Sequence, residues 1–336
     1  MLTHAHETQI TERDLELLRG LFESRVMTLA HAANLYFGGS AEAAKKRAQR
    51  LKRDHYISER PRTRSYDPSI LHLARRGFEA LRRAGQLADY PAIGWESMER
   101  RAHVSPFTLN HELDVLSTKA ALTAALRTTS HQTIIEFSTW PCLFAFRTRQ
   151  QTVDGYGRAV VMKPDALLRV QSELGSEPPR SSSFFLELDR STETQQNLRG
   201  RASGYLEFYR SGGFAKRYGQ PSEDFRQFPF RVLWIFRNAE RRNNAAESFL
   251  RHHPPILTMP WLTTFDELMK DPLGDIWVRP LDYQRVVRGT RFDPILRSPA
   301  TFYRRQTTRE QFIEIRIERV ALFALKEKGD PSLDRL

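Results

Sequence analysis

Residues 160–170 read VVMKPDALLRV and residues 184–190 read FFLELDR. Both are apolar, strand-forming runs that present acid: Pro164-Asp165 in the first, Glu187-Leu188-Asp189 in the second. Alternate side chains of a strand share a face, so Glu187 and Asp189 project together. Asp165 joins them if the two strands are neighbours. Three carboxylates at one sheet edge suit Mg²⁺ or Mn²⁺. An ion held by Asp165, Glu187 and Asp189 would polarise a phosphoryl oxygen and activate a water. The competing reading is that these acids solvate turns or pair with arginines.

The flanks predict a layered core around these runs. Upstream, a helical period runs through Leu109, Leu113, Leu116, Ala120 and Leu126, followed by strand-like segments at 133–137, 142–147 and 159–170. Downstream, a helix is predicted from Thr192 to about Tyr209, with Leu198, Ala202, Tyr205, Leu206 and Tyr209 on its inner side. Phe230–Phe236 reads as a buried strand, 239–252 as a helix and 256–261 as a last core strand. Residues 172–183 read as a loop. The result is an α+β or α/β mixed-sheet domain over 106–265, with an extension at 266–336. In that extension, 311–325 suits either a helix or a strand. Residues 85–105, with Gly85, Pro91 and Gly94, read as a linker.

Residues 10–84 follow another plan and are expected to fold by themselves. Thr11-Glu-Arg-Asp14 is a capping box opening a helix with Leu15, Leu17, Leu18, Leu21 and Phe22 along one stripe. A second helix spans 28–36, broken by Gly38-Gly39. Ser40 caps a third, from Ala41 to about His55. Residues 40–64 hold nine basic side chains (Lys45, Lys46, Arg47, Arg50, Lys52, Arg53, Arg60, Arg62, Arg64) and three acids (Glu42, Asp54, Glu59), a net of +6. Two short apolar segments, Tyr56-Ile57 and 70–73, bracket a basic turn, and 74–84 closes as a helix weakened by Gly77. Helix, helix, basic helix and hairpin is the order of a winged helix-turn-helix. Its third helix would enter the major groove and its turn would touch phosphate or the minor groove. Arg47 and Arg50 suit guanine edges; Lys45, Lys46 and Lys52 suit phosphate, and Arg53, Arg62 and Arg64 extend the same basic face.

Composition agrees with a polyanionic partner. The chain of 336 residues is long enough for two modest domains, and its formal net charge is +12, half of it in the 40–64 segment. One cysteine, Cys142, rules out an intrachain disulfide and suits a reducing cytoplasm. No apolar run of membrane-spanning length occurs, so a soluble cytoplasmic protein is expected. No P-loop or dinucleotide fingerprint is present, which argues against ATP-driven work. His252-His253 lacks a third ligand, His4 and His6 sit near the terminus, and Trp140, Trp234 and Trp261 read as core.

The pair Pro164-Asp165 and Glu187-Leu188-Asp189 resembles the PD-(D/E)xK nuclease superfamily, whose restriction-endonuclease-like core has the same order of helix and strands. Over roughly 10–260 the chain more closely resembles the replication-relaxation family of plasmids and mobile elements. The matching stretches are TERDLELLRGLFESRVMT, RAQRLKRDHYI, LHLARRGFEAL, HELDV, KPDALLRV and FFLELDRSTE. The resemblance implies binding to double-stranded DNA, and metal-dependent nicking or cleavage by the second domain. It also implies contacts with replication or conjugation proteins, with a homodimer as a further partner. One departure stands out: the superfamily usually has Lys where this chain has Asp189. That Lys offsets charge at the reacting phosphate. Arg199, Arg201 or Arg190 is the expected substitute, with Gln195 nearby, and Glu112 or Asp114 is a further acid from the preceding helix. The alternative reading is a non-catalytic DNA-binding initiator or regulator with a degenerate nuclease fold; an RNA-processing enzyme is a weaker one.

Overall fold

In the computed structural model, the described residues are 9–62, 64–140, 144–151, 157–173, 180–191 and 193–287, with the backbone alone at 299–304 and 313–318. His4, His6, Cys142, Thr192 and much of the 172–183 loop lie outside them. The chain is a mixed α+β protein that divides into two units. One comprises Met1–Ala124 with Ser138–Leu143, the other Ala125–Phe137 with Phe144–Leu336.

The first unit opens with α1 (Glu12–Ser24), where Thr11 and Asp14 form the reciprocal cap that satisfies the first free N–H groups. The two-residue strand β1 (Met27–Thr28) leads into α2 (Leu29–Tyr36), capped by Thr28. α3 (Ala41–Arg53) buries only Ala44, Ala48 and Leu51, so most of its surface is left to charge. β2 (Ile57–Glu59) and β3 (Ile70–Leu73) form an antiparallel hairpin, and β1 adds to β3's other edge. α4 (Arg75–Arg83) packs Phe78 and Leu81 into the same core as Leu17, Leu18, Leu21, Phe22 and Leu51. Each such side chain contributes roughly 1.5–3 kcal/mol of burial. Gly77 is a packing requirement rather than a weakness, because a Cβ there would lie 2.2 Å from the Tyr56 carbonyl oxygen.

The stretch expected as a linker contains a helix, α5 (Trp95–Ala102), with Met98 and Ala102 buried. Its periodicity is short, and the surrounding Gly and Pro conceal it. α6 (Pro106–Arg127) follows. The buried cluster of the first unit takes in Met98, Leu116, Ala120 and Trp140 together with residues of 10–84. Trp140 stacks flat on Phe22 with centroids 4.5 Å apart, and the Arg101 guanidinium lies 3.6 Å from the Trp140 ring centroid.

The second unit is built on a five-stranded sheet in the order β10-β9-β8-β7-β4. Its strands are β4 (Gln132–Ser138), β7 (Ala166–Ser172), β8 (Arg180–Asp189), β9 (Phe230–Phe236) and β10 (Pro260–Thr264). β7 and β8 are antiparallel; β8, β9 and β10 run parallel. The two parallel connections are made by helices, as parallel pairing requires: α7 (Gln195–Arg210), followed by the short α8 (Gly213–Arg217), and α9 (Ala239–Leu250). The run expected as one strand from 159 to 170 is two. β6 (Gly157–Met162) pairs with β5 (Phe146–Gln151) in a separate hairpin, and the chain then turns through Lys163-Pro164-Asp165 into β7. Proline has no N–H to give a ladder, so it marks the break. Phe146, Phe185, Tyr205, Phe208, Phe214 and Phe230 form a continuous aromatic cluster between α7 and the sheet. Trp234 and Trp261 are buried, as expected.

After β10 come α10 (Phe265–Lys270) and α11 (Pro280–Val287), then two antiparallel strands, β11 (Pro299–Arg304) and β12 (Ile313–Glu318). No helix among the described residues is long and apolar enough to cross a membrane.

Candidate nucleic-acid interface and carboxylate site

In the first unit, the buried stripe Ala44–Ala48–Leu51 fixes which cations of α3 face water. Lys45, Lys46, Arg50, Lys52 and Arg53 are exposed. Lys46 pairs with Glu42 at 2.9 Å, Lys52 with Glu59 at 2.6 Å and Arg53 with Asp54 at 3.1 Å. Among the described residues, Lys45 and Arg50 have no acid partner. On the hairpin, Arg62 reaches Glu59 and Ser69. Arg64 donates to the hydroxyl of the exposed Tyr66 at 2.8 Å.

Arg47 behaves differently from its expected role as a base reader. It turns back beside the buried stripe and grips Asp14 with two donors, Nε to Oδ1 at 2.6 Å and Nη2 to Oδ2, and also donates to the Gln9 carbonyl. Burial pushes the Asp14 carboxyl up, but the hydrogen bonds from Arg47 and Thr11 outweigh it and hold the pKa below the usual carboxylate value. Arg47 therefore ties α3 to the N-terminus of α1. The signal was present in the sequence: position 47 lies three residues after Ala44 and one before Ala48, next to the apolar stripe.

In the second unit, β8 is the central strand, and its alternation puts Phe185, Glu187 and Asp189 on the face covered by α7 and α9. Glu187 and Asp189 are both buried, at 4% and 6% exposure. Glu187 Oε2 accepts from Arg201 and Oε1 from the Tyr205 hydroxyl, both on α7. Burial, with the charge of Asp165 adding to it, raises the Glu187 carboxyl to about 7 against the opposing pull of Arg201 and Tyr205. Asp189 Oδ2 accepts from Arg241 on α9, and Oδ1 accepts the Ser191 N–H at 2.9 Å. Arg241 also donates to the Glu193 carbonyl. Asp165 Oδ2 accepts the Leu188 N–H at 2.8 Å, and its own N–H donates to the Leu186 carbonyl at 3.0 Å. The turn before β7 is thereby stitched to the end of β8.

The arrangement thus brings Asp165 to the same end of the sheet as the β8 acids. However, Glu187 and Asp189 are directed to different helices, and each is met by its own arginine. Among the described residues, no group of three or more His, Cys, Asp or Glu is placed to hold a metal ion. Arg201 and Tyr205 engage both oxygens of Glu187, and Arg241 engages one oxygen of Asp189, so these two carboxylates are met by protein donors. Arg201, one of the substitutes expected for the missing Lys, reaches Glu187. Arg199, two residues earlier, is half-buried. Glu112 pairs with Arg25 at 3.3 Å within the first unit. The partners that sequence reasoning missed are Tyr205, which lies one turn after Arg201 on the inward stripe, and Arg241. The latter is fifty-two positions from Asp189 and carries no local signal.

The family model described as replication-relaxation matches residues 18–222, which takes in α2 to α4, β8, α7 and the carboxylates. No curated protein and no solved structure matches the chain.

Proposed function

This chain belongs to the replication-relaxation family, and from that premise we propose that it binds duplex DNA in the replication or relaxation of a plasmid or other mobile element. The first unit acts as a winged helix: α3 docks in the major groove and the β2–β3 hairpin touches the flanking backbone. The observation that carries this reading is the pair Lys45 and Arg50. Both stand exposed on a helix whose opposite face is buried, and neither is matched by an acid among the described residues. Unmatched surface cations on a docked helix attract phosphate and release counterions on binding.

We read the second unit, with its mixed five-stranded sheet, as a PD-(D/E)xK-like core. Two acids stand at the end of β8 and the third in the turn before its antiparallel neighbour β7, and a helical crossover leads to the parallel β9. The reading supported best is a nuclease-like scaffold whose carboxylates are neutralised by arginines, serving DNA or partner contact without cutting. The test uses duplex fragments tiled from the DNA around the chain's own coding sequence, and a supercoiled plasmid carrying it. Salt-sensitive binding without nicking in Mg²⁺ or Mn²⁺ is the expected result. Absence of binding at low salt would overturn the DNA-binding reading. Nicking that Asp165→Asn or Glu187→Gln abolishes would overturn the non-catalytic reading and restore a metal site at Asp165, Glu187 and Asp189.

A further inference from the structure

β2 ends on Glu59, and four hydrogen bonds converge on its carboxylate. Oε2 accepts from Lys52 Nζ at 2.6 Å. Oε1 accepts from Arg62 Nε at 3.1 Å, Arg62 Nη2 at 3.0 Å and Ser69 Oγ at 2.7 Å. The donors come from three places: the last turn of α3 and both arms of the hairpin. Lys52 and Arg62 are 46% and 43% exposed, so the cluster opens to water on the side of the basic helix. An ammonium, a guanidinium fork and a hydroxyl around two oxygens form the donor set of an oxyanion site, and a phosphodiester offers two equivalent oxygens. The carboxylate is strongly held there: the Lys52 hydrogen bond, with Ser69 and Arg62 helping against burial, lowers its pKa to about 2.

We propose that this junction of α3 and hairpin is a backbone-phosphate site for DNA, and that Glu59 is its internal competitor, occupying the site in the free protein and yielding it to phosphate. The inference rests on the DNA-binding reading above. With Glu59 in place, engaging a phosphate frees one anion for each anion bound, so the local gain in counterion release is small. Without Glu59, Lys52 and Arg62 present a net two charges instead of one.

The experiment compares duplex binding by the full chain, Glu59→Gln, Lys52→Met and the double variant across a salt series. Glu59→Gln keeps the side chain's size and removes its charge. One additional released counterion steepens the slope of log K against log salt by about 0.9, which is about eightfold tighter binding at 0.1 M salt. Lys52→Met should flatten the slope by about 0.9 in either background, about eightfold at 0.1 M salt, so that the double variant returns to about the wild-type slope. Glu59→Thr, which suits a strand, should reproduce the steeper slope should Glu59→Gln melt early. If the wild type binds DNA but the Glu59 variants bind equally or more weakly with an unchanged slope, the inference falls and the DNA-binding reading survives. If the wild type does not bind, both fall.

Discussion

The exposed face of α3 and the buried end of β8 are both densely charged, and they use charge in opposite ways. Around α3, cations outnumber acids nine to three over 40–64, and the surplus stands in water. At the end of β8, each acid has its own arginine, drawn from a helix packed over the sheet. Exposed surplus charge gains little from the fold, since surface pairs contribute about 1 kcal/mol or less, and remains available to a partner. Charge that is matched and buried is committed to the fold, because separating it leaves an ion without water.

The largest effect that tests this contrast lies at the buried end. Arg201→Ala should destabilise the second unit by about 3–5 kcal/mol in urea unfolding, since Glu187 loses its counter-ion. Replacing Glu187 and Arg201 together by leucine should recover most of that. A loss below about 1 kcal/mol for the single variant would mean that the pair is not holding the fold.

At the exposed end, Lys45→Ala with Arg50→Ala should leave the melting temperature unchanged. The double variant should lower the salt slope of DNA binding by about 1.8, a loss on the order of tens-fold at 0.1 M salt. An early melt with unaltered binding would reverse the assignment of these two residues.

Arg47 divides the two behaviours within one helix. Arg47→Ala should cost about 1.5–3 kcal/mol through the unpaired Asp14, while Arg50→Ala should stay within about 0.5 kcal/mol. Equal thermal shifts for the two would break the distinction drawn between them.

The smallest effect is in pH, and its sign differs between the regions. Glu187 is raised from 4.5 to about 7 by burial and by the charge of Asp165, so its contribution is full below 4.5 and lost as pH rises through 7. Glu59 is lowered from 4.5 to about 2, first by Lys52, so its contribution is present above 4.5 and lost as pH falls toward 2. Denaturation midpoints from pH 3 to 8 should show both limbs. Glu187→Gln should remove only the upper one, and Glu59→Gln should shrink only the lower, to which Asp14 also contributes.

Most of the element order was legible because periodicity and caps are local. The Thr11–Asp14 box, the apolar stripe of α1, the sparse stripe of α3 and the RVLWIF strand all read directly from neighbouring residues. The acids of β8 were legible in position and in shared face. Their partners were not, since pairing across a fold leaves no spacing rule: Arg241 meets Asp189 only because α9 crosses over β8. Three other features depended on packing that no local window reveals. Gly77 is needed where α4 meets the Tyr56 carbonyl, Met98 gives the supposed linker a helix, and Pro164 divides one apolar run between two sheets. Arg47 shows a subtler limit. Its charge pointed outward, but its place beside Ala48 decided its direction.

Trp140 has a consequence for the order of synthesis. The chain emerges from the ribosome N-terminus first, yet the ring that stacks on Phe22 is made only after β4 has been completed. The first core therefore closes late, and β4 must then remain unpaired until β7 has been translated. During that interval the nascent chain exposes a strand edge bearing Ile135, the kind of surface that pairs with other chains. Production of this protein should accordingly be sensitive to translation rate and to chaperones over the interval between Trp140 and the end of β7.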